Sequence, residues 1–536
     1  MKTPVISAAL ALLIVSSQGL AGQDSLQLTD GRFVTGPTMT ATDDGVVIHL
    51  QHGNVSVPSH LVKEVTVVAN AGMTEGLSAA DKKKVARGLV KFEGKWVSAK
   101  DRDRRVKKRA KEIQDRIAEA LEHSNWEKKY VSQSKYFKFH YTIDPDIMQW
   151  WADLMDGYYK EFSSYWGGIK PPPGFGKLDV KFFHNQDYYD QVTGMAGTGG
   201  FFRFVPPLEL DFYYDRLDED WTLNVMFHEA NHYLTWLMAP KYKFPTWLNE
   251  GMAEYYGASI WDPKKKKLEV GGLLEGRLAN VQQEILGGTW VGLEELINVP
   301  HSSFSGRYYG WAWTLVHYLM HSKKYKKNFK KMVRAFPRDE SQDRERLAPG
   351  GYNMTQHPPS SQIPIIKKFL KVKSLDALEK EWHDYIKQLE PASARGFFAF
   401  GKTALRDGMP IKATRMLKKA LDMGYDSPML YINYAKALQQ RPKKDKSARQ
   451  ADYRQAVDYV EKAIEKDPVN PLFRARYAKV LNDLARILGK GDPRVKEQRS
   501  VATELGEYVN GGYDSYSVFL ALDWKVYGES TSAGGE

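Results

Sequence analysis

None of the 536 residues is a cysteine. That absence excludes disulfide staples, thiolate zinc sites, iron–sulfur clusters, a cysteine nucleophile and a lipidated bacterial N-terminus. Any metal is left to histidines and carboxylates, and histidine is itself scarce, at 13. Long apolar runs are missing too. Mean hydropathy is −0.51, and no stretch reaches the ~20 apolar residues of a membrane-spanning helix, which excludes a multi-pass membrane protein. The charge is not concentrated. Lys+Arg exceed Asp+Glu by 77 to 65, for a net +12, but the basic runs Lys82–Lys84, Asp101–Lys111, Lys264–Lys267 and Lys323–Lys331 are scattered along the chain. They read as solvated faces, so no nucleic-acid partner is expected; attraction to an anionic envelope surface remains compatible with them. What is present is apolar substance: 42% hydrophobic and 12% aromatic residues can bury sizeable cores, and ~150 residues per domain gives three or four units.

Several segments differ in character. Lys2, the apolar run Val5–Val15 and small residues ending at Ala21 read as a secretory signal peptide over 1–21, because the run is too short to span a bilayer. After its cleavage no membrane span is expected, and the location is a bacterial periplasm or exterior. Residues 22–70 alternate apolar runs with turn signals at Asp30-Gly31, Asp43-Asp44-Gly45 and His52-Gly53-Asn54, which predicts a small β-barrel-like domain or meander. Residues 71–130 form a charged helical linker region, interrupted by a hairpin-like Phe92–Val97. From 131 the pattern turns mixed α/β: a strand over Tyr136–Ile143, an aromatic-rich helix over Pro145–Trp166, a strand over Leu178–Phe183, and one or two more within Phe201–Tyr214. Helical patterns then prevail. Over 393–525 two matches recur at a spacing of 43: Lys419-Ala420-Leu421 with Lys462-Ala463-Ile464, and Tyr434–Leu438 with Tyr477–Leu481. The segment resembles degenerate tetratricopeptide repeats, with the polar stretch Gln439–Arg449 holding the residues beyond the usual 34. Residues 526–536 read as a disordered tail. The fold class is therefore a multidomain α+β chain: a small N-terminal β domain, a mixed α/β domain with a mostly helical C-terminal half, and all-α repeats.

The chemistry concentrates in Met226-Phe227-His228-Glu229-Ala230-Asn231-His232-Tyr233-Leu234. On a helix His228 and His232 stand about 40° apart in rotation and ~6 Å apart in rise, so both imidazoles can reach one ion. Glu229 lies on the flank of that stripe, where it can reach water beside the ion. Pro240 ends this helix; Thr246, after Pro245, is placed to cap a second one running through Trp247-Leu248-Asn249-Glu250-Gly251-Met252-Ala253-Glu254. Glu250 and Glu254 share a face. A catalytic zinc takes three protein ligands, and His₂Glu is one such set. Folding back, the second helix can offer Glu250 as the third ligand and Glu254 as acceptor of a histidine's second ring N–H; Glu254 as the ligand is the alternative.

HEANH followed after 17 residues by the Glu of Trp247-Leu248-Asn249-Glu250-Gly251 resembles the gluzincin, or peptidase MA-like, zinc metallopeptidases, and in particular a bacterial group of predicted peptidases with a domain of unknown function. The resemblance covers about 135–325, within a gluzincin-like metallopeptidase domain over 131–392. It implies one Zn²⁺ per chain on His228, His232 and Glu250, with Glu229 as general base. A metzincin pattern would need Gly and His where Thr235 and Met238 stand. The helix Tyr309-Gly310-Trp311-Ala312-Trp313 resembles the tyrosine-bearing helix of gluzincin aminopeptidases, which implies Tyr309 as oxyanion donor, with Tyr308 as rival. The aminopeptidases' Gly-x-Met-Glu-Asn string does not occur here. The segment Leu208–Tyr214 falls where gluzincins place the edge strand that pairs with an extended peptide, which favours an endopeptidase. The expected function is a secreted zinc metallohydrolase acting on a peptide or protein substrate, with the repeats as docking face for a protein partner. The competing expectation is a non-catalytic envelope scaffold with a vestigial zinc site.

Overall fold

The computed structural model describes residues 24–30, 32–66, 78–92, 95–215, 219–262, 264–341, 343–346, 353–442 and 445–510. The expected leader at 1–21 and tail at 526–536 lie outside the described residues. The chain divides into two compact units, one built from residues up to Glu112 together with Glu504–Gly512, the other over Ile113–Thr503. The architecture is α+β, with small sheets near the N-terminus and helices through the C-terminal half.

In the first unit, strands β1 (Ser25–Leu28), β2 (Phe33–Thr35), β3 (Thr38–Thr42), β4 (Gly45–Leu50), β5 (Gly53–Pro58) and β6 (Val62–Thr66) form two antiparallel sheets. β1 lies between β2 and β6; β3, β4 and β5 make a meander joined by the Asp44-Gly45 and His52-Gly53 turns. Alternation selects the inward face: Val46, Ile48, Val55 and Val57 are buried while their neighbours are not. The first sheet is completed from far along the chain. Val509–Asn510 pairs antiparallel with β2, placing Val509 opposite Val34, and Glu504 accepts a hydrogen bond from the Gln51 amide at 2.8 Å. Helix α1 (Ala79–Ala86), capped by the Ser78 hydroxyl, precedes the hairpin of β7 (Leu89–Phe92) and β8 (Lys95–Ser98), the expected interruption near Phe92–Val97. The long helix α2 (Ala99–His123) follows.

The second unit is organised on a five-stranded sheet of β9 (Tyr130–Gln133), β10 (Phe137–Tyr141), β11 (Leu178–Phe183), β12 (Gly200–Arg203) and β13 (Glu209–Tyr213), in the order β12-β13-β11-β10-β9. The three central strands are parallel and both edges antiparallel. Helix α3 (Pro145–Trp166) crosses between β10 and β11. The Asp144 side chain caps its first turn, Pro145 supplies a fixed φ at its start, and Gly167, at φ +94°, ends it. α3 lays Trp151, Met155 and Phe162 into one core with Phe139, Phe182, Leu210 and Phe212 of the sheet. α4 (Gln186–Thr193) lies beside β11 and β13. The edge strand on this side of the sheet is β12, not the expected Leu208–Tyr214. β13 is interior and all five of its residues are buried, because the Gly200–Arg203 hairpin arm covers its outer side.

Helices α5 (Glu219–Met238), α6 (Thr246–Gly257), α7 (Glu275–Leu286), α8 (Leu293–Asn298), α9 (Gly306–His321), α10 (Lys326–Ala335), α11 (Pro359–Leu370) and α12 (Leu375–Gln388) complete this core. Three of its fully buried indoles are satisfied: Trp247 donates to Gln362, Trp311 to Glu284 and Trp382 to Thr314. Thr246 does not cap α6. The N-cap position falls on Pro245, no side chain caps the helix, and Thr246 is already its first residue. Helices α13 (Ala394–Arg406), α14 (Pro410–Asp422), α15 (Pro428–Gln440), α16 (Lys446–Lys466) and α17 (Pro471–Leu488) each pack on the next, before α18 (Arg494–Tyr508). The two recurring matches fall on α14–α15 and α16–α17. α16 has 21 residues against 13 in α14, and its start takes up Lys446–Arg449 of the polar stretch Gln439–Arg449. Among the described residues no helix is long and apolar enough to cross a membrane.

Candidate metal centre

Two helices with different tasks meet at the site. α5 buries Met226, Phe227, Ala230, Tyr233 and Leu234, and the buried Asn231 amide donates to the Tyr158 hydroxyl at 2.9 Å. The residues between the two histidines thus anchor the helix, which leaves His228 and His232 on its partly open side. α6 is buried on nearly every face from Trp247 to Gly257, as a helix surrounded by protein must be. Gly251 lets α6 approach α9 closely: a Cβ there would stand 2.6 Å from the Ala312 carbonyl oxygen and 2.7 Å from Val316.

This packing brings His228, His232 and Glu250 to one point. The two imidazole centres are 4.8 Å apart with planes at 84°. Glu250 Oε2 lies 3.1 Å from His228 Nε2 and 3.5 Å from His232 Nε2. Donors each ~2.0–2.1 Å from a tetrahedral ion stand about 3.3 Å from one another, so these separations fit a shared zinc. Glu229 belongs to the same cluster, with ligand atoms of His228, Glu229 and His232 all within 4.8 Å of one another. Its Oε2, however, already accepts the Phe202 amide of β12 at 3.0 Å, which turns it toward the sheet edge. By distance to both imidazole nitrogens Glu250 is the better third donor.

The surroundings of the histidines are also built. His228 Nδ1 faces Glu254 Oε1 at 3.4 Å, so Glu254 stands where a partner for the second ring nitrogen belongs. His232 Nδ1 meets the Asn249 amide at 2.9 Å, and Asn249 accepts from the Thr235 hydroxyl at 3.2 Å. The amide nitrogen of Asn249 is the atom that faces the ring, so it donates to Nδ1, and the His232 Nε2 side is turned toward Glu250. The electrostatics favour positive charge. Burial opposes ionisation of the His228 imidazole, but the hydrogen bonds its ring donates to Glu250 and Glu254 and the nearby Glu229 charge outweigh it and hold the ring well above the usual histidine range. Burial likewise works to raise the Glu254 carboxyl, yet the Arg277 charge and the His228 contact bring it down to about 2. Three carboxylates around two imidazoles form a cradle for a cation.

The two tyrosines separate. Tyr309 sits with its ring centre 5.9 Å from that of His228, edge-on to Phe304. Burial foremost, and the charges of Glu250, Glu254 and Glu229, push its phenol far above the usual tyrosine range, so it stays protonated. Tyr308 turns outward and donates to Glu295 at 3.0 Å. Two residues that the sequence reading left without a role belong here. Asn249 stands one position before Glu250, so the sequence signal for it is its place in Trp247-Leu248-Asn249-Glu250-Gly251. Arg277 carries no local signal, since its partner Glu254 is 23 positions away. Compared with protein-family models and with curated proteins, the chain matches none.

Proposed function

We propose that this protein is an exported zinc-dependent metallohydrolase of the gluzincin type, most directly a metalloendopeptidase. The observation that carries the reading is the convergence of His228 Nε2 and His232 Nε2 on Glu250 Oε2, at 3.1 and 3.5 Å, from two neighbouring helices. These three residues would hold the zinc, which when bound supplies a Lewis acid that activates water and polarises a carbonyl.

The chain's own groups divide the remaining work. Glu229 takes the proton of the attacking water and returns it to the leaving amine, a contribution of about 10²–10⁴-fold. Its hydrogen bond to the Phe202 amide fixes the carboxylate beside β12, whose outer edge can pair with an extended peptide. Tyr309, kept protonated, donates to the oxyanion of the tetrahedral intermediate. Glu254 and Asn249 orient the two imidazoles. The helical array from α13 to α17 serves as a docking face for a protein partner, and the leader sends the chain to a bacterial periplasm or beyond.

The test is cleavage of a proteome-derived peptide library by the full-length protein, with and without chelator, beside Glu229→Gln. Chelator-sensitive cleavage that Glu229→Gln abolishes is the expected result. Cleavage that survives both treatments, or none from a zinc-loaded protein, overturns the reading.

A further inference from the structure

Arg277, on α7, reaches three other parts of the second unit at once. Its Nε and Nη2 donate to Oε2 and Oε1 of Glu254 at 2.8 and 2.9 Å. Its Nη1 donates to the Gly306 carbonyl, at the start of α9, at 3.4 Å. Its guanidinium carbon lies 5.3 Å from the centre of the Tyr309 ring, close enough for a cation–π contact. The Asp407 carboxyl, on the turn after α13, faces the same cation. Glu254 Oε1, which receives Nη2, is also the oxygen turned to His228 Nδ1. A chain Arg277–Glu254–His228 therefore runs into the cluster from one side, and the contacts to Gly306 and Tyr309 bind the phenol-bearing turn to the same guanidinium.

We propose that Arg277 is a positioning residue for both functions of the centre, aligning His228 for metal through Glu254 and holding Tyr309 over the same point. The proposal rests on the reading of His228, His232 and Glu250 as zinc ligands. The physical reason is the shape of the group. A carboxylate with only one oxygen engaged can rotate and offer its imidazole partner a range of directions. A planar fork that binds both oxygens removes that freedom. The face of the same plane is left for the aromatic ring. Lysine has one point of charge and no face, so it keeps the charge balance of Glu254 while losing the alignment and the contact with Tyr309.

The experiment uses metal-free full-length protein and measures Zn²⁺ affinity by competition with a chromophoric chelator, alongside the visible spectrum of the Co²⁺-substituted protein. Arg277→Lys is expected to bind Zn²⁺ about tenfold more weakly than the parent, the usual scale for a group behind a metal ligand, and to shift the Co²⁺ bands. Glu254→Gln should lose a similar factor. The double variant should bind no more weakly than Glu254→Gln alone, because both changes act along one path. In peptide hydrolysis at saturating zinc, Tyr309→Phe should cost less in the Arg277→Lys background than in the parent. If Arg277→Lys does not fold, Arg277→Met combined with Glu254→Gln removes both charges together and carries the same expectation, a zinc affinity equal to that of Glu254→Gln. A folded Arg277→Lys with parental affinity and spectrum overturns the proposal while leaving the zinc site standing, as do losses that simply add in the double variant. A parent protein that takes up no zinc overturns both.

Discussion

Gly251 of α6 and Ala312 of α9 touch backbone to backbone, with no space between them for even a methyl group. The contact sets the distance between the helix that carries Glu250 and the helix that carries Tyr309. Gly251→Ala should force the helices apart, costing about 1–3 kcal/mol of stability as overpacking does and weakening zinc uptake in the same variant. Thermal melting with a zinc titration checks both. A variant as stable as the parent would mean that the helices have slack, and that the centre is held together elsewhere.

Glu229→Gln should retain about one zinc per chain while peptide hydrolysis falls by about 10²–10⁴-fold. Elemental analysis and a fluorogenic peptide assay on the same preparation decide the point. Full activity would remove Glu229 from the role of base; loss of the metal would move it into the ligand set.

His232→Ala and Glu250→Ala should each lose the metal. Glu250 is only 4% exposed and balances two imidazoles, so its removal also leaves buried groups without their counter-charge. A destabilisation of about 3–5 kcal/mol is expected where a buried pair is broken in this way. Unchanged zinc stoichiometry in either variant would reject the ligand set.

Tyr309→Phe should lower the turnover by about 10²–10³-fold with zinc content unaltered, the range found when one oxyanion donor is removed. Tyr308→Phe should leave turnover within a factor of about two of the parent, a rough margin for a partly buried side chain whose hydroxyl donates to Glu295. Equal effects of the two substitutions would dissolve the distinction.

The second face of the sheet makes the protein sensitive to pH away from the centre. Asp211 is 1% exposed on β13, and burial pushes its carboxyl up to about 7, with the Lys181 ammonium 3.6 Å away opposing that and Glu209 adding to it. Between the unfolded value of 3.8 and about 7 the native state keeps a proton that the unfolded chain has released. Stability therefore falls as pH rises through that window and levels off above it. At about 1.4 kcal/mol per pKa unit the effect reaches roughly 2–4 kcal/mol. Asp211→Asn should be more stable than the parent at pH 8 and nearly equal to it near pH 4 in urea unfolding. A difference that does not vary with pH would show that another group carries the titration.

Much of the second unit was legible where local chemistry dictates geometry. The aromatic-rich pattern over Pro145–Trp166 reads as a helix and is α3, and Leu178–Phe183 reads as a strand and is one. The histidine pair follows from helical period alone. Other features depend on partners distant in the chain and leave no local trace. Which strand lies at the sheet edge depends on how Gly200–Arg203 folds over β13. The N-cap of α6 falls on Pro245, and the strand just before it, Tyr242–Lys243, pairs with Thr355–Gln356, a partner more than a hundred residues away. Arg277 is one of many arginines until α7 is laid beside α6 and α9.

The pairing of Val509–Asn510 with Phe33–Val34 makes the order of synthesis matter. A ribosome that has released the early strands must add about 470 more residues before the last one of that sheet exists, roughly 25–95 s at ordinary translation rates. Through that interval one margin of the sheet is without its neighbour and open to any strand that passes. The N-terminal unit, although made first, is thus finished last.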